Sequence, residues 1–310
     1  MSKIEVCYPS FTKKAITFTI DDGNMVYDKK LTDILAPAGI KGTFNLCSNI
    51  HEGREEETLA FYSGYDVSNH CKHHPLINYD GVDYILSEDE FDEATADDSR
   101  IYRASGRPGF FWVKRPNGWR HMVFEDDFLS YIKEGKEELE RLFCGREIKD
   151  YVWPYGNQDN AAAHEFIKKT HRSSRITGCT AGKDAFNIPS DKYAWSYTAN
   201  HLNLLEIMEE YEAYPDDGEL KFFAFGVHSI DFERDGRWDD LRAFAEKYGN
   251  RPDVYWYTTI GELFDYDEAV RMLEKDSKRL INRSSSNIYL KIDGEPTVLG
   301  AGEEVLIRPF

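Results

Sequence analysis

Apolar runs of strand length alternate with stretches of helical spacing along most of this chain, and that alternation limits its fold more than any other feature. "ITFTIDDGN" (16–24) opens the pattern: Ile16, Phe18 and Ile20 alternate with Thr17 and Thr19, the period-two signature of a strand. Leu31, Ile34 and Leu35 then recur at helical spacing, Ala38-Gly39 closes that segment, and "IKGTFNL" (40–46) reads as a second strand. Strand, helix, strand is the repeating unit of a parallel sheet. Further strands are expected at 65–69, 150–153, 221–227 and 253–259, with helices at 126–143, 161–172, 204–214 and 239–249. The run "KFFAFGV" (221–227) carries no alternation, as a strand covered on both faces should. The chain is therefore predicted to be α/β, wound into a closed or nearly closed barrel.

Two regions break the rhythm. Residues 76–125 form a long polar insertion, expected to serve as a lid or binding wall. Within it, "GFFWVKRPNGWRHMVF" (109–124) places Pro116-Asn117-Gly118 between two aromatic arms, a hairpin signal. Towards the end, "NIYLKIDGEPTVLGAGEEVLI" (287–307) reads as short strands joined at Asp293-Gly294 and Gly300-Ala301-Gly302. The predicted organisation is one barrel over residues 1–270 and a small β extension over 271–310.

Charge narrows the partners. With 38 basic and 56 acidic residues the formal charge is −18, and so acidic a surface repels phosphate backbones and anionic lipid. Neither nucleic acid nor a membrane is expected as a partner; a homo-oligomer is compatible with the composition. No run approaches transmembrane length, and the first residues lack an apolar signal core. The five cysteines (7, 47, 71, 144 and 179) show no CxxC spacing, which favours reduced thiols and a cytoplasmic location.

The chemistry-bearing residues follow the strands. Asp21 and Asp22 stand side by side where the first strand ends, and neighbouring carboxylates repel unless a cation or a proton sits between them. In "NHCKHHP" (69–75), His70 and His74 are four apart and can share one side of a turn or loop, with Pro75 disfavouring helix at His74. His73 leaves the second member of the pair open. Two imidazoles and a carboxylate suit zinc and its first-row neighbours. "WPYG" (153–156) and "VHS" (227–229) follow two further strands. In parallel α/β folds the C-terminal ends of the strands gather on one face.

Taken in order, "TIDDG", "NHCKHHP", "VWPYG" and "FGVHS" resemble the successive motifs of the polysaccharide deacetylases, the NodB-homology group of metal-dependent carbohydrate deacetylases, over roughly residues 10–265. The resemblance implies a distorted (β/α)7-8 barrel, a TIM-like barrel with a divalent metal at its mouth. It implies Asp22, His70 and His74 as metal ligands and Asp21 as the base for the attacking water. It further implies His228 as the acid for the leaving group and Tyr155 as the source of a backbone N–H for the oxyanion. Zinc is the expected metal, with Co, Ni or Mn as alternatives. Trp153, Pro154 and Trp195 are expected to wall the substrate pocket. The implied activity is hydrolysis of an acetyl group from an N-acetylated (or O-acetylated) sugar or oligosaccharide. Two rivals keep the scaffold: hydrolysis of non-sugar amides or cyclic ureides, and glycan binding without catalysis.

The chain departs from the family pattern at three points. Val152 holds the position where the family often has an arginine that orients the base, and Cys71 stands where Ser or Thr usually braces the histidines. The acidic partner of the catalytic histidine is left between Asp184 and Asp191, ahead of Trp195.

Overall fold

The computed structural model describes residues 2–75, 101–103, 110–115, 118–156, 160–179, 185–276 and 278–308. Most of the polar insertion, the two hairpin-tip residues 116–117 and Asp184 lie outside the described residues. In chain order the strands are β1 (Ile4–Cys7), β2 (Lys14–Asp22), β3 (Gly42–Leu46), β4 (Asp66–Asn69), β5 (Ile101–Arg103), β6 (Phe110–Arg115), β7 (Gly118–Val123), β8 (Asp150–Val152) and β9 (Ser173–Cys179). They continue with β10 (Trp195–Tyr197), β11 (Lys221–His228), β12 (Tyr255–Tyr257), β13 (Leu273–Lys275), β14 (Arg279–Asn282), β15 (Ile288–Ile292), β16 (Glu295–Leu299) and β17 (Glu304–Leu306). The helices are α1 (Met25–Leu35), α2 (Glu55–Tyr62), α3 (Glu125–Leu142), α4 (Ala161–Thr170), α5 (Leu204–Ala213), α6 (Ser229–Arg234), α7 (Trp238–Tyr248) and α8 (Ile260–Arg271). The chain divides into two compact units, residues 1–44 with 179–190 and 197–310, and residues 45–178 with 191–196.

In the first unit β2 pairs in parallel with β11 from Lys14↔Lys221 to Asp21↔His228, and with β12 over residues 14–16. Residues 15–21 of β2 are all buried, polar Thr17 and Thr19 included, because both faces of the strand are covered. Helix α1 packs on α6 and α7. At the foot of β2, Lys14 Nζ donates to the carbonyls of Tyr211, Glu212 and Tyr214 at 2.8, 2.8 and 3.0 Å. These carbonyls lie at the end of α5, where the helix dipole favours a cation. Just past β10, Thr198 N–H donates to Ala224 O at 2.7 Å and Gly226 N–H to Ala199 O at 2.9 Å.

Two antiparallel sheets complete this unit, ordered β1-β15-β16 and β13-β14-β17. The β15–β16 hairpin turns on Asp293 (φ 54) and Gly294 (φ 89), the left-handed pair of a two-residue turn. β1 lines up against β15 from Ile4↔Ile292 to Cys7↔Tyr289, and the Tyr266 hydroxyl donates to the Cys7 carbonyl. Leu280, Ile288, Leu290, Leu299 and Ile307 form the core beneath.

In the second unit β4 and β9 flank β8 in parallel, through Asn69↔Tyr151 and Val152↔Arg175. Helix α3 buries Phe128, Ile132, Gly135 and Leu139, one face at helical spacing. That face and α4 cover Tyr151 and Trp153. β6 and β7 form the expected hairpin, with Arg115 opposite Gly118. The mixed α/β architecture with a parallel sheet is thus present; among the described residues no closed barrel is detected.

Candidate active site

In the first unit the acidic end of β2 meets the end of β11. Asp21 and His228 are register partners on adjacent parallel strands, which sets both side chains on one face of the ladder. Beyond Asp21 the backbone turns left-handed at Asp22 (φ 74) and Gly23 (φ 75). A non-glycine residue held there carries strain of about 1–3 kcal/mol, which a fold retains only where the rest of the structure demands it.

His228 has a carboxylate beside each ring nitrogen. Its Nδ1 donates to Asp231 Oδ2 at 3.1 Å, and its Nε2 lies 3.8 Å from Asp22 Oδ2. Burial alone would lower the imidazole pKa. The Asp231 hydrogen bond and the charges of Asp21 and Asp22 outweigh that and raise it to about 9. Without a cation on Asp22 these carboxylates favour the protonated ring, the state a general acid needs. Burial would raise the Asp231 carboxyl, but His228 and Arg234 hold it below the usual range.

Asp231 is the acidic partner that the sequence left between Asp184 and Asp191. Asp184 lies outside the described residues, and Asp191 instead accepts from the Tyr193 backbone N–H at 2.8 Å. A signal for Asp231 was available in its spacing. Because α6 starts directly after β11, a carboxylate three residues past His228 returns to it on the first helical turn.

The second unit carries the histidine pair. His70 follows β4, and its Nδ1 lies 2.9 Å from the Val152 carbonyl. A carbonyl only accepts, so Nδ1 carries the proton and Nε2 keeps its lone pair, the tautomer of a metal-ligating histidine whose other nitrogen is anchored. The ring of His74 lies 4.7 Å from that of His70 and 4.4 Å from that of Tyr155. His73 turns away onto Phe110 and Tyr131, at 5.5 and 4.9 Å. Of the two, His74 is the imidazole whose ring lies beside that of His70.

The loop bearing them is strained and braced. Cys71 (φ 66), His74 (φ 48) and Tyr155 (φ 53) are all left-handed. Asn69 Oδ1 accepts from the Cys71 N–H at 3.0 Å, while its Nδ2 donates to Ile132 O at 2.8 Å. Lys72 Nζ binds Glu134 and Glu138 on α3 at 2.8 and 2.7 Å. Cys71 is fully buried, and burial pushes its thiol up to about 12, so it stays protonated. Val152 serves through its backbone, by the carbonyl that anchors His70.

The expected pocket walls are placed differently. Trp153 has no exposed surface: its Nε1 donates to Ser174 Oγ at 3.2 Å, and its ring lies in the core with Phe128 and Tyr151. An indole so enclosed supports the Tyr155 turn from beneath and offers no face to a sugar. Pro154 and Trp195 are also buried, whereas Tyr155 is 46% exposed.

Fold and side chains together define an α/β protein that carries acid–base groups and metal-competent imidazoles at the ends of parallel strands. The chain belongs to the polysaccharide deacetylase family, whose sequence profile matches residues 9–172, more than half of its 310. Among solved structures, one from Mycobacterium smegmatis assigned to the polysaccharide deacetylases aligns with a TM-score of 0.53 at 14% identity, covering 88% of this chain and 96% of that one. A polysaccharide deacetylase from Bacillus cereus aligns with a TM-score of 0.43 at 14% identity, covering 79% of this chain and 91% of that one. A CE4 family pseudoenzyme from Bacillus anthracis gives 0.41 at 11% identity, covering 82% and 66%. At 14% identity the Mycobacterium smegmatis structure speaks for the fold alone. A search of curated proteins finds no match.

Proposed function

We propose that the protein is a metal-dependent deacetylase that hydrolyses an acetyl group from an N-acetylated (or O-acetylated) sugar or oligosaccharide. One observation carries the reading: Asp21 stands in ladder register with His228, whose Nδ1 is bonded to the Asp231 carboxylate. A base and an acid on neighbouring strand ends are what transfer of an acyl group to water requires.

Asp22, His70 and His74 would hold the divalent ion, zinc before Co, Ni or Mn. The donor chemistry fits, since the Val152 carbonyl keeps His70 in the Nδ1–H tautomer and leaves its Nε2 lone pair for a borderline cation. When bound, the ion supplies Lewis-acid polarisation of the acetyl carbonyl and lowers the pKa of water. Asp21 takes the proton of the attacking water. The backbone N–H of Tyr155 donates to the developing oxyanion. His228 passes its Nε2 proton to the leaving amine or alkoxide as the C–N or C–O bond breaks, so acetate and a free amine or alcohol result.

The test is acetate release from a panel of acetylated oligosaccharides by the metal-loaded protein. A chelator should stop turnover and added zinc restore it, and Asp21→Asn should lower kcat by about 10²-fold or more. A folded, metal-loaded protein that cleaves amides or cyclic ureides and none of the sugars would move the reading to the second substrate class. Glycan affinity that survives Asp21→Asn, with no turnover by the wild type, would make it a binding protein.

A further inference from the structure

Helix α6 carries Asp231, the carboxylate on His228, yet it is only six residues long, too short to hold its own conformation. Within the helix, Arg234 Nη1 reaches Asp231 Oδ1 at 2.7 Å, but Arg234 is 61% exposed and ties the helix only to itself. Other elements hold α6 from its far side, through buried Phe232 on Phe225 and Trp238 and through Glu233 on Lys30 and Trp238; beside Asp231 the contact comes from His201, in the turn before α5. Its Nε2 donates to Asp235 Oδ2 at 2.7 Å, its Nδ1 lies 3.8 Å from Asp231 Oδ2, and its ring meets Phe232 edge-on at 6.2 Å. His201 therefore ties the end of α6 to the turn before α5 and lies beside Asp231, and its side chain is 9% exposed. Asp235, the residue capping the helix end, is also clasped by Arg234 at 3.1 and 3.2 Å.

We propose that His201 is a positioning residue for the proton donor: by fixing α6 it holds Asp231 where Asp231 keeps the Nδ1–H of His228 engaged and the Nε2 aimed at the acidic pair. The inference rests on His228 acting as the acid of the deacetylase reading. A small misplacement of an acid at the reacting centre lowers the rate of the chemical step more than substrate affinity.

The experiment compares His201→Ala with His201→Gln, which keeps an N–H for Asp235, in the full zinc-loaded chain. His201→Ala should lower kcat about tenfold or more while KM stays within about twofold, and His201→Gln should recover most of the loss. Independently of turnover, the proton NMR signal of the His228 Nδ1–H should weaken through solvent exchange in His201→Ala and persist in His201→Gln. If His201→Ala does not fold, Asp235→Asn, which weakens the same tether, should show the same two changes in smaller measure. Unchanged kcat and an unchanged His228 signal would overturn the proposal, as would a loss confined to KM. If the wild type deacetylates no sugar but the His228 signal still responds, the positioning role stands and the deacetylase reading falls.

Discussion

At His228 the balance between burial and charge decides the chemistry. The fold partly covers an imidazole, which disfavours its charged form, and then sets Asp231, Asp21 and Asp22 around it, which reverses the sign. Because the pKa rises from 6.5 to about 9 on folding, the stability this residue contributes is complete below pH 6.5 and is lost as pH climbs through about 9. Urea unfolding of the metal-free wild type and of His228→Gln between pH 6 and 10 should show the stability gap closing over that window. A gap that holds constant would mean the carboxylates do not act on this ring in the folded state. The ring is 43% exposed, so solvent screens the effect and its size belongs to the measurement. The same scale shows where sequence reading stops. Asp21 was legible because two adjacent acids at a strand end need a reason, whereas Trp153 was not, because nothing in its neighbours tells a buried indole from an exposed one.

At the scale of the element, the loop that carries His70 and His74 depends on how closely α3 approaches it. Gly135 allows that approach: a Cβ there would sit 2.7 Å from Asn69 Oδ1 and 3.0 Å from the Cys71 carbonyl carbon. Alanine would gain about 1 kcal/mol of helix propensity. Overpacking costs about 1–3 kcal/mol, and here it falls on Asn69, whose side chain bonds both the loop and α3. Gly135→Ala is therefore expected to be net destabilising by about 1 kcal/mol in urea unfolding and to weaken zinc binding by about tenfold in a competition titration. An alanine variant as stable and as tight as the wild type would show that α3 can slide away freely. The helices themselves were legible from spacing: α3 begins and ends within a residue of expectation because Phe128, Ile132 and Leu139 mark one face. The short α6 was not, since six residues give too little pattern to read.

Across the whole molecule, the beginning of the chain is tied to its end. β1 pairs with β15, and Tyr8, fully buried just after it, packs on Trp256 and Tyr266 at 5.0 and 5.9 Å. Deleting residues 2–8 should destabilise the protein by at least about 3 kcal/mol, the scale of removing one buried aromatic, and expose the β15 edge to association. Thermal unfolding and sedimentation of the truncated chain check both; an unchanged midpoint and a single species would make β1 an accessory. Four residues reading "IEVC" gave no warning of this pairing, because a strand that short is recognised only by its partner. What the amino-acid order determined by itself was local: the alternation of strands and helices, the Asp293-Gly294 turn, and the identities of the acids and imidazoles that follow the strands. What only the tertiary structure decided was which atoms meet. Asp231 on His228, His201 on Asp235 and the Val152 carbonyl on His70 each join residues through a ladder or a packed turn. Such contacts depend on register and burial, which no single stretch of sequence encodes.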